Sequence, residues 1–313
     1  MITYVTGNIF TSPAKVLVNP VNTVGVMGKG LAKKFKEYFP DMFKKYQVLC
    51  DQRLLSVGKL WIYKTDNKWI LNFPTKTTWR NPSELEYLDA GLKNFVNSYS
   101  KYNISSIAFP KLGCGNGELN WEDQVKPLME KYLSKIPIMV FIYLNEEAAE
   151  LKPEHKDIQN IEKWLRSEPA CLTWDEVLND LKREVIINNS STIKDVIRKK
   201  ELFINIAEQD ISFEEDDVPF SIKIEDIKSL WIHVRDAGYF NKQTAPPAAK
   251  DHYSQILSLF LQLPYCKPSR ISDNYSKVKS DDEAMGFLVM PPSSSNDLKN
   301  SKRENPDIHE ARR

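Results

Sequence analysis

The residues best suited to chemistry in this chain are one lysine and two runs of glycine. Gly25-Val26-Met27-Gly28-Lys29-Gly30 and Gly113-Cys114-Gly115-Asn116-Gly117 stand on either side of Lys76, which sits in Phe73-Pro-Thr-Lys-Thr-Thr-Trp-Arg80 just past an apolar run. Glycine lets a backbone approach phosphate oxygens closely, and a loop that opens a helix adds N–H donors and the positive end of a dipole. Two such loops imply a pyrophosphate ligand. A lysine between them implies a group that orients or attacks what the pyrophosphate carries. Neither loop fits a common nucleotide motif. The first runs G-x-x-G-x-G, unlike the dinucleotide fingerprint, and Gly28-Lys29 is followed by Gly30 where a P-loop needs Ser or Thr. Taken alone, each loop also reads as an ordinary turn.

Two roles are open to Lys76. A neutral amine can attack an anomeric carbon or trap an opened sugar as a Schiff base. An ordinary lysine, with a pKa near ~10.4, is charged at neutral pH and a poor nucleophile. Burial beside a cation such as Arg80 lowers that value, and ligand phosphates raise it. In the other role Lys76 stays charged and orients a ribose. Cys114 reads as a small packing residue. The four histidines (His155, His233, His252, His309) all fall beyond residue 148, outside the first domain, which weighs against histidine catalysis near the loops. Cys50, Cys114, Cys171 and Cys266 form no C-x-x-C pair, so neither a metal nor a redox dithiol is expected, and a reducing cytoplasm fits.

The elements that must position these residues alternate. Ile2–Val5, Val16–Pro20, Leu60–Tyr63, Trp69–Phe73, Ile104–Phe109 and Ile138–Leu144 read as strands. Leu31–Leu49, Leu85–Tyr99 (with Ser83 as N-cap) and Glu122–Leu133 read as helices. This is an α/β layer fold with a mostly parallel, mixed central sheet flanked by helices. Both glycine loops then follow strands and precede helices, at the crevice where open α/β sheets bind ligands.

The 313 residues suffice for about two domains, and 42% apolar with 27% charged content is that of globular protein. No run of ~18 apolar residues predicts a membrane span, and Met-Ile-Thr-Tyr-Val-Thr-Gly reads as a first strand, not a leader peptide. Near Glu146 the chain turns polar. From Ile158 to about Pro268 it reads as amphipathic and mainly helical, with Trp174–Val185, Ile224–Ala237 and Tyr253–Tyr265 as the clearest helices; α or α+β is expected there. From Pro291 the composition predicts a disordered tail. The near-zero net charge hides an asymmetry: residues 1–150 hold 19 Lys+Arg and 14 Asp+Glu, whereas 151–290 hold 19 and 24. A basic first half suits an anionic ligand, and random surface variation explains it equally well.

Taken in order, Thr6-Gly-Asn-Ile9, Val18-Asn-Pro-Val-Asn22, the Gly25–Gly30 loop and Phe109-Pro-Lys-Leu-Gly-Cys-Gly-Asn-Gly117 resemble a macrodomain, the ADP-ribose-binding module. The Thr-Lys-Thr-Thr-Trp-Arg segment narrows the resemblance to the DarG family of antitoxins, DNA ADP-ribosylglycohydrolases paired with the DNA ADP-ribosyltransferase toxin DarT. The resemblance implies removal of ADP-ribose from thymidine in single-stranded DNA, with Lys76 as the catalytic residue. It implies that Gly7, Asn8 and Ile9 sit at the adenine end, and that Asn22, Thr23, Gly25, Val26, Met27, Gly28, Lys29, Gly30 and Leu31 meet the distal ribose and phosphates. Leu112, Gly113, Cys114, Gly115, Asn116 and Gly117 would hold the pyrophosphate. In a relative that deribosylates glutamate, an Asp of the second loop assists the lysine; here Gly117 stands there, with Glu118 beside it. No cofactor is implied.

The implied domains are a macrodomain over 1–148, a DarT-binding domain over 149–290, similar to the DarG C-terminal region at Leu230–Gly238 and Leu261–Tyr265, and the tail 291–313. Trp79 and Arg80 either hold DNA by stacking and charge or pack on the fold. The acidic second half, with Glu214–Asp217, either mimics DNA or flanks an apolar docking face. The competing functions are a non-catalytic ADP-ribose reader and a hydrolase of ADP-ribosylated protein or small derivatives.

Overall fold

A computed structural model of the chain describes residues 1–144, 152–186, 192–216, 218–243, 245–271 and 285–292. Contacts divide it into two compact units, Met1–Trp164 and Leu165–Arg313. The division falls later than the sequence places it, so residues 152–164 belong with the first unit. The polar connector expected from Glu146 lies outside the described residues as far as Leu151, as does the tail from Ser293.

The first unit is built from β1 (Ile2–Val5), β2 (Val16–Val21), α1 (Gly30–Tyr38), α2 (Pro40–Asp51), β3 (Trp61–Lys64), β4 (Trp69–Pro74), α3 (Leu85–Ser98), β5 (Ser106–Pro110), α4 (Lys126–Leu133), β6 (Met139–Tyr143) and the start of α5 (Ile158–Ser167). Its sheet runs β1-β6-β5-β2-β4-β3. All neighbours are parallel except β3, which pairs antiparallel with β4 at the edge. Parallel strands need crossover helices, and helices on both faces bury them on both sides. Val16, Val18, Leu71, Phe73, Ile107 and Phe109 accordingly sit in one core with Leu88, Leu92 and Phe95 of α3 and Met129 and Leu133 of α4. Gly91 of α3 lies against Phe73, where a Cβ would meet the ring at 2.2 Å; this close approach seats α3 on the sheet.

Two helices differ from expectation. The run Leu31–Leu49 is broken at Phe39–Pro40, because proline has no N–H to continue α1 and serves instead as the first residue of α2. The helix expected at Glu122 begins as a π-turn over Trp121–Val125 and becomes regular only from Lys126. Ser83 is not the N-cap of α3, since Glu84 occupies that position.

The second unit continues α5 and adds α6 (Trp174–Ile186), β7 (Thr192–Lys194), β8 (Glu201–Ile206), β9 (Asp210–Glu215), β10 (Val218–Lys223), α7 (Ile224–Ala237), β11 (Tyr239–Phe240), α8 (Pro247–Lys250), α9 (Tyr253–Phe260), β12 (Cys266–Arg270) and β13 (Met285–Val289). It is α+β. A four-stranded antiparallel sheet, β10-β9-β8-β7, fills the stretch expected to be helical, and a three-stranded sheet, β11-β13-β12, follows. Trp231 of α7 is fully buried, stacked on Phe260 and edge-on to Tyr265. Asp180 is also fully buried and is held by Arg166 (Nε to Oδ2, 3.1 Å) and Arg183 (Nη2 to Oδ1, 3.0 Å). No helix among the described residues is long and apolar enough to cross a membrane.

Candidate functional site

Strands β2, β4 and β5 are neighbours in the sheet and run in one direction, so their carboxyl ends open at one edge. A cleft of about 290 Å³ lies there, lined by the residues that leave each strand: Asn22 after β2, Thr75 and Lys76 after β4, and Lys111 with the Gly113–Gly117 loop after β5. The N-terminal turn of α1 closes another side through Leu31 and Ala32. Of the sequence-derived ligand set, Asn22, Val26, Lys29, Leu31, Lys76, Gly113, Cys114, Gly115, Asn116 and Gly117 line this one cleft.

The register of β2 with β4 places Lys76. Thr75 N–H donates to Val21 O, so the pairing runs one residue past the strand ends and delivers the next side chain into the cleft. Thr23 fixes the following turn, its hydroxyl donating to Thr77 O at 2.8 Å. Lys76 is 5% exposed. Its Nζ donates to Asn116 O at 2.5 Å and lies 3.9 Å from Glu154 Oε2. Burial holds the amine below the ordinary lysine value, and the carboxylates of Glu154 and then Glu118 act against that shift. Of the expected burial beside Arg80, the burial does the lowering and the cation does not contribute; the Arg80 guanidinium lies 4.0 Å over the Trp79 ring and pairs with Glu162 at 2.8 Å.

The two glycine loops are held differently. In the first, the Asn22 amide is the organiser: Nδ2 donates to Val26 O at 2.7 Å, and Oδ1 accepts from Val24 N–H, Val26 N–H and the Tyr46 hydroxyl. Asn22 therefore lines the cleft chiefly as the brace of its loop. Met27 is fully buried beneath it. Gly28 is required because Trp164 lies where its Cβ would project, at 2.6 Å. In the second loop, Leu119 N–H donates to Gly113 O and Glu118 N–H to Gly115 O. Among the described residues the N–H groups of Gly115, Asn116 and Gly117 have no acceptor. Three free donors on a cleft wall are the cradle a pyrophosphate needs. Ser83 faces the same loop, 5% exposed and lining the cleft, with its Oγ unpaired among the described residues. Burial pushes the Cys114 thiol up to about 12, so it stays protonated and is no nucleophile.

Other residues singled out in the sequence are placed elsewhere or engaged otherwise. Gly7, Asn8 and Ile9 do not line the cleft; Asn8 caps a short turn by accepting from Phe10 N–H at 3.0 Å, and Ile9 is buried. Gly25 lies against α2, Gly30 opens α1, and Leu112 is fully buried behind its loop. Trp79 is 1% exposed and offers no platform for a base. Lys29 is not left facing phosphates alone, since it pairs with Asp157 at 3.1 Å. Glu215, part of the acidic block, is turned inward to Arg198 at 2.7 Å and Gln255 at 2.9 Å; Asp217 lies outside the described residues.

Residues 152–164 contribute what the motifs do not show. Glu154 reaches Lys76, Asp157 reaches Lys29, Glu162 reaches Arg80, and His155 Nε2 lies 2.8 Å from Glu118 Oε2. A histidine thus does stand at the rim of the site, contrary to the sequence reading. The hint in the sequence was the acidic spacing Glu154, Asp157, Glu162, which complements three of the cations already singled out. Among the described residues no group of His, Cys, Asp and Glu is placed to hold a metal ion.

The macro domain family model matches residues 18–128, which include both glycine loops and Lys76. A DNA ADP-ribosyl glycohydrolase of Mycobacterium tuberculosis is 42% identical over 147 residues, 46% of this chain and 42% of that protein. A DNA ADP-ribosyl transferase–DNA ADP-ribosyl glycohydrolase fusion protein of Thermosipho africanus is 42% identical over 159 residues, 45% of this chain and 41% of its own length. The chain thus matches less than half the length of these curated relatives. The solved macrodomain of Thermus aquaticus DarG is 40% identical, with 46% of this chain and 99% of that one covered and a TM-score of 0.44. The matched stretch spans both glycine loops and Lys76, and the first unit of this chain carries a macro domain, similar to those of DNA ADP-ribosyl glycohydrolases.

Proposed function

We propose that this protein hydrolyses the N-glycosidic bond between ADP-ribose and a thymidine base of single-stranded DNA, and that its second unit binds the DNA ADP-ribosyltransferase that makes this modification. The observation that carries the first part is Lys76, a buried amine set into the cleft between two phosphate-binding loops. The free N–H groups of Gly115–Gly117 hold the pyrophosphate, and the distal ribose then lies against Lys76. Cleavage builds positive charge on the anomeric carbon and negative charge on the departing base. An amine held below its usual pKa has a larger neutral fraction with which to attack that carbon. In its charged form it orients the ribose and stabilises the base as it leaves. Relatives named for this activity share 42% of aligned residues, which supports the choice of DNA over protein as substrate.

For the second unit, support comes from a relative in which transferase and glycohydrolase are one chain. The outward face of its larger sheet mixes apolar and acidic groups. Phe203 is 51% exposed and stands opposite exposed Glu214. That is a surface suited to a partner whose own site binds DNA.

Incubation with ADP-ribosylated single-stranded DNA should release free ADP-ribose, and Lys76→Ala should slow release by roughly 10²-fold or more. No release with ADP-ribose binding intact would instead establish a reader. Faster release from ADP-ribosylated protein than from DNA would move the substrate class.

A further inference from the structure

We propose that Glu154, which lies beyond the part of the chain matched by the macrodomain model, is the positioning residue for Lys76 and completes the active cleft from outside the macrodomain core. The inference rests on the reading of Lys76 as the reactive group, and it concerns what holds that group.

A buried amine needs compensating oxygen on more than one side. One side is the Asn116 carbonyl, 2.5 Å from Nζ. The second glycine loop cannot supply an acid for the other side. A Cβ at Gly117 would lie 2.2 Å from Ser83 Oγ and 2.3 Å from Gly113 O, so no side chain fits there. Glu118, next along, sits at φ +62° and sends its carboxylate to His155 and Lys156. What faces Nζ is Glu154, at 3.9 Å, with side-chain exposures of 7% for the lysine and 8% for the glutamate. Glu154 itself lines the cleft.

The segment bearing it is held at several points. Lys29 of the first loop pairs with Asp157, Glu118 of the second loop accepts from His155 and Lys156, and Arg80, past the lysine, pairs with Glu162. Each motif of the cleft therefore carries at least one tie to residues 154–162, and Glu154 is the member that lines the cleft. A carboxylate at this place fixes the amine toward the ribose side of the cleft and favours its charged form. The charged groups facing Lys76 are Glu154 and Glu118; Lys29 and Lys111 lie on the cleft wall, and Asp157, His155 and Lys156 stand behind them.

The test compares full-length parent, Glu154→Gln and Glu154→Ala. Three quantities are read: release of ADP-ribose from ADP-ribosylated single-stranded DNA as a function of pH, ADP-ribose affinity by calorimetry, and titration of the Lys76 Nζ resonance without substrate. Loss of the carboxylate removes a charge that raises the amine's pKa. The Nζ titration, and with it the Lys76-dependent limb of the rate profile, should move to lower pH by roughly one unit. For Glu154→Gln, kcat should fall roughly tenfold or more with affinity little changed. Parental kcat, or an unmoved Nζ titration alongside a lower rate, would overturn the proposal, the second by assigning Glu154 a structural part alone. If the parent itself released nothing, the glycohydrolase reading would fail, and the Nζ titration would still decide the pairing.

Discussion

In the first unit, β2, β4 and β5 are covered on both faces, and nearly every residue from Val16 to Val21 and from Ile70 to Pro74 is buried. In the second unit, β8 buries Leu202 and Ile204 while Glu201, Phe203 and Asn205 stay exposed, and β9 buries Ile211, Phe213 and Glu215. The first pattern belongs to a parallel sheet between helix layers, and the second to an antiparallel sheet with one solvated face. The first arrangement brings strand ends together at a crevice and makes a ligand site. The second leaves one face of the sheet exposed, and its core is aromatic: Trp231, Phe240, Phe260, Tyr265 and Phe287 contact one another ring to ring.

If that aromatic cluster carries the second unit, Trp231→Ala should lower the second unit's stability by about 3–5 kcal/mol, the range for emptying a large buried aromatic site. Denaturant unfolding followed at the second unit's transition measures it. A loss under about 1 kcal/mol would mean that the two sheets, and not the stacked rings, hold this unit together.

The same contrast explains what was legible in the residues. Continuous apolar runs such as Trp-Ile-Leu-Asn-Phe after Lys68 read as buried strands without ambiguity, and the glycine loops sat where those strands end. Short alternating segments such as Glu-Leu-Phe-Ile-Asn-Ile at 201–206 satisfy helical and strand periods almost equally over six residues, so the four-stranded sheet was hidden. Ile224–Ala237, 14 residues or two heptads long and stopped by Gly238 in the left-handed conformation, was read to the residue. In the site, local motifs were readable and distant partners were not. Nothing near Lys76 in the sequence announces Glu154, because the contact spans 78 positions and depends on how the chain returns after β6. Trp79 failed for another reason: an aromatic beside an arginine has the same local signature whether it stacks on a base or on its neighbour.

A smaller effect tests whether the second loop is as tightly fitted as the cleft requires. Gly117→Ala sets a methyl against Ser83 Oγ and Gly113 O, and the loop must shift to admit it. Overpacking of this kind costs about 1–3 kcal/mol. Because the displaced N–H groups are the proposed pyrophosphate donors, ADP-ribose affinity measured by calorimetry should fall roughly tenfold or more. Retained affinity would show that the cradle lies elsewhere, most directly on the first loop at the start of α1.

The smallest effect separates packing from DNA contact. Arg80 is bound on one face to Trp79 and at its tip to Glu162, with about a third of each charged side chain exposed. Pairs this exposed contribute about 0.2–1 kcal/mol, so Arg80→Gln should change stability by less than about 1 kcal/mol. Its consequence for single-stranded DNA binding is the sharper readout. Each phosphate a cation neutralises contributes about 0.7 to the slope of log affinity against log salt. With the guanidinium committed to Glu162, the slope should be the same for parent and variant. A drop of about 0.7 would mean that Arg80 leaves Glu162 for a phosphate when DNA arrives, loosening one of the ties that hold residues 154–162 over the cleft. The cation that stacks on Trp79 would then also report to Glu154 whether a substrate strand is in place.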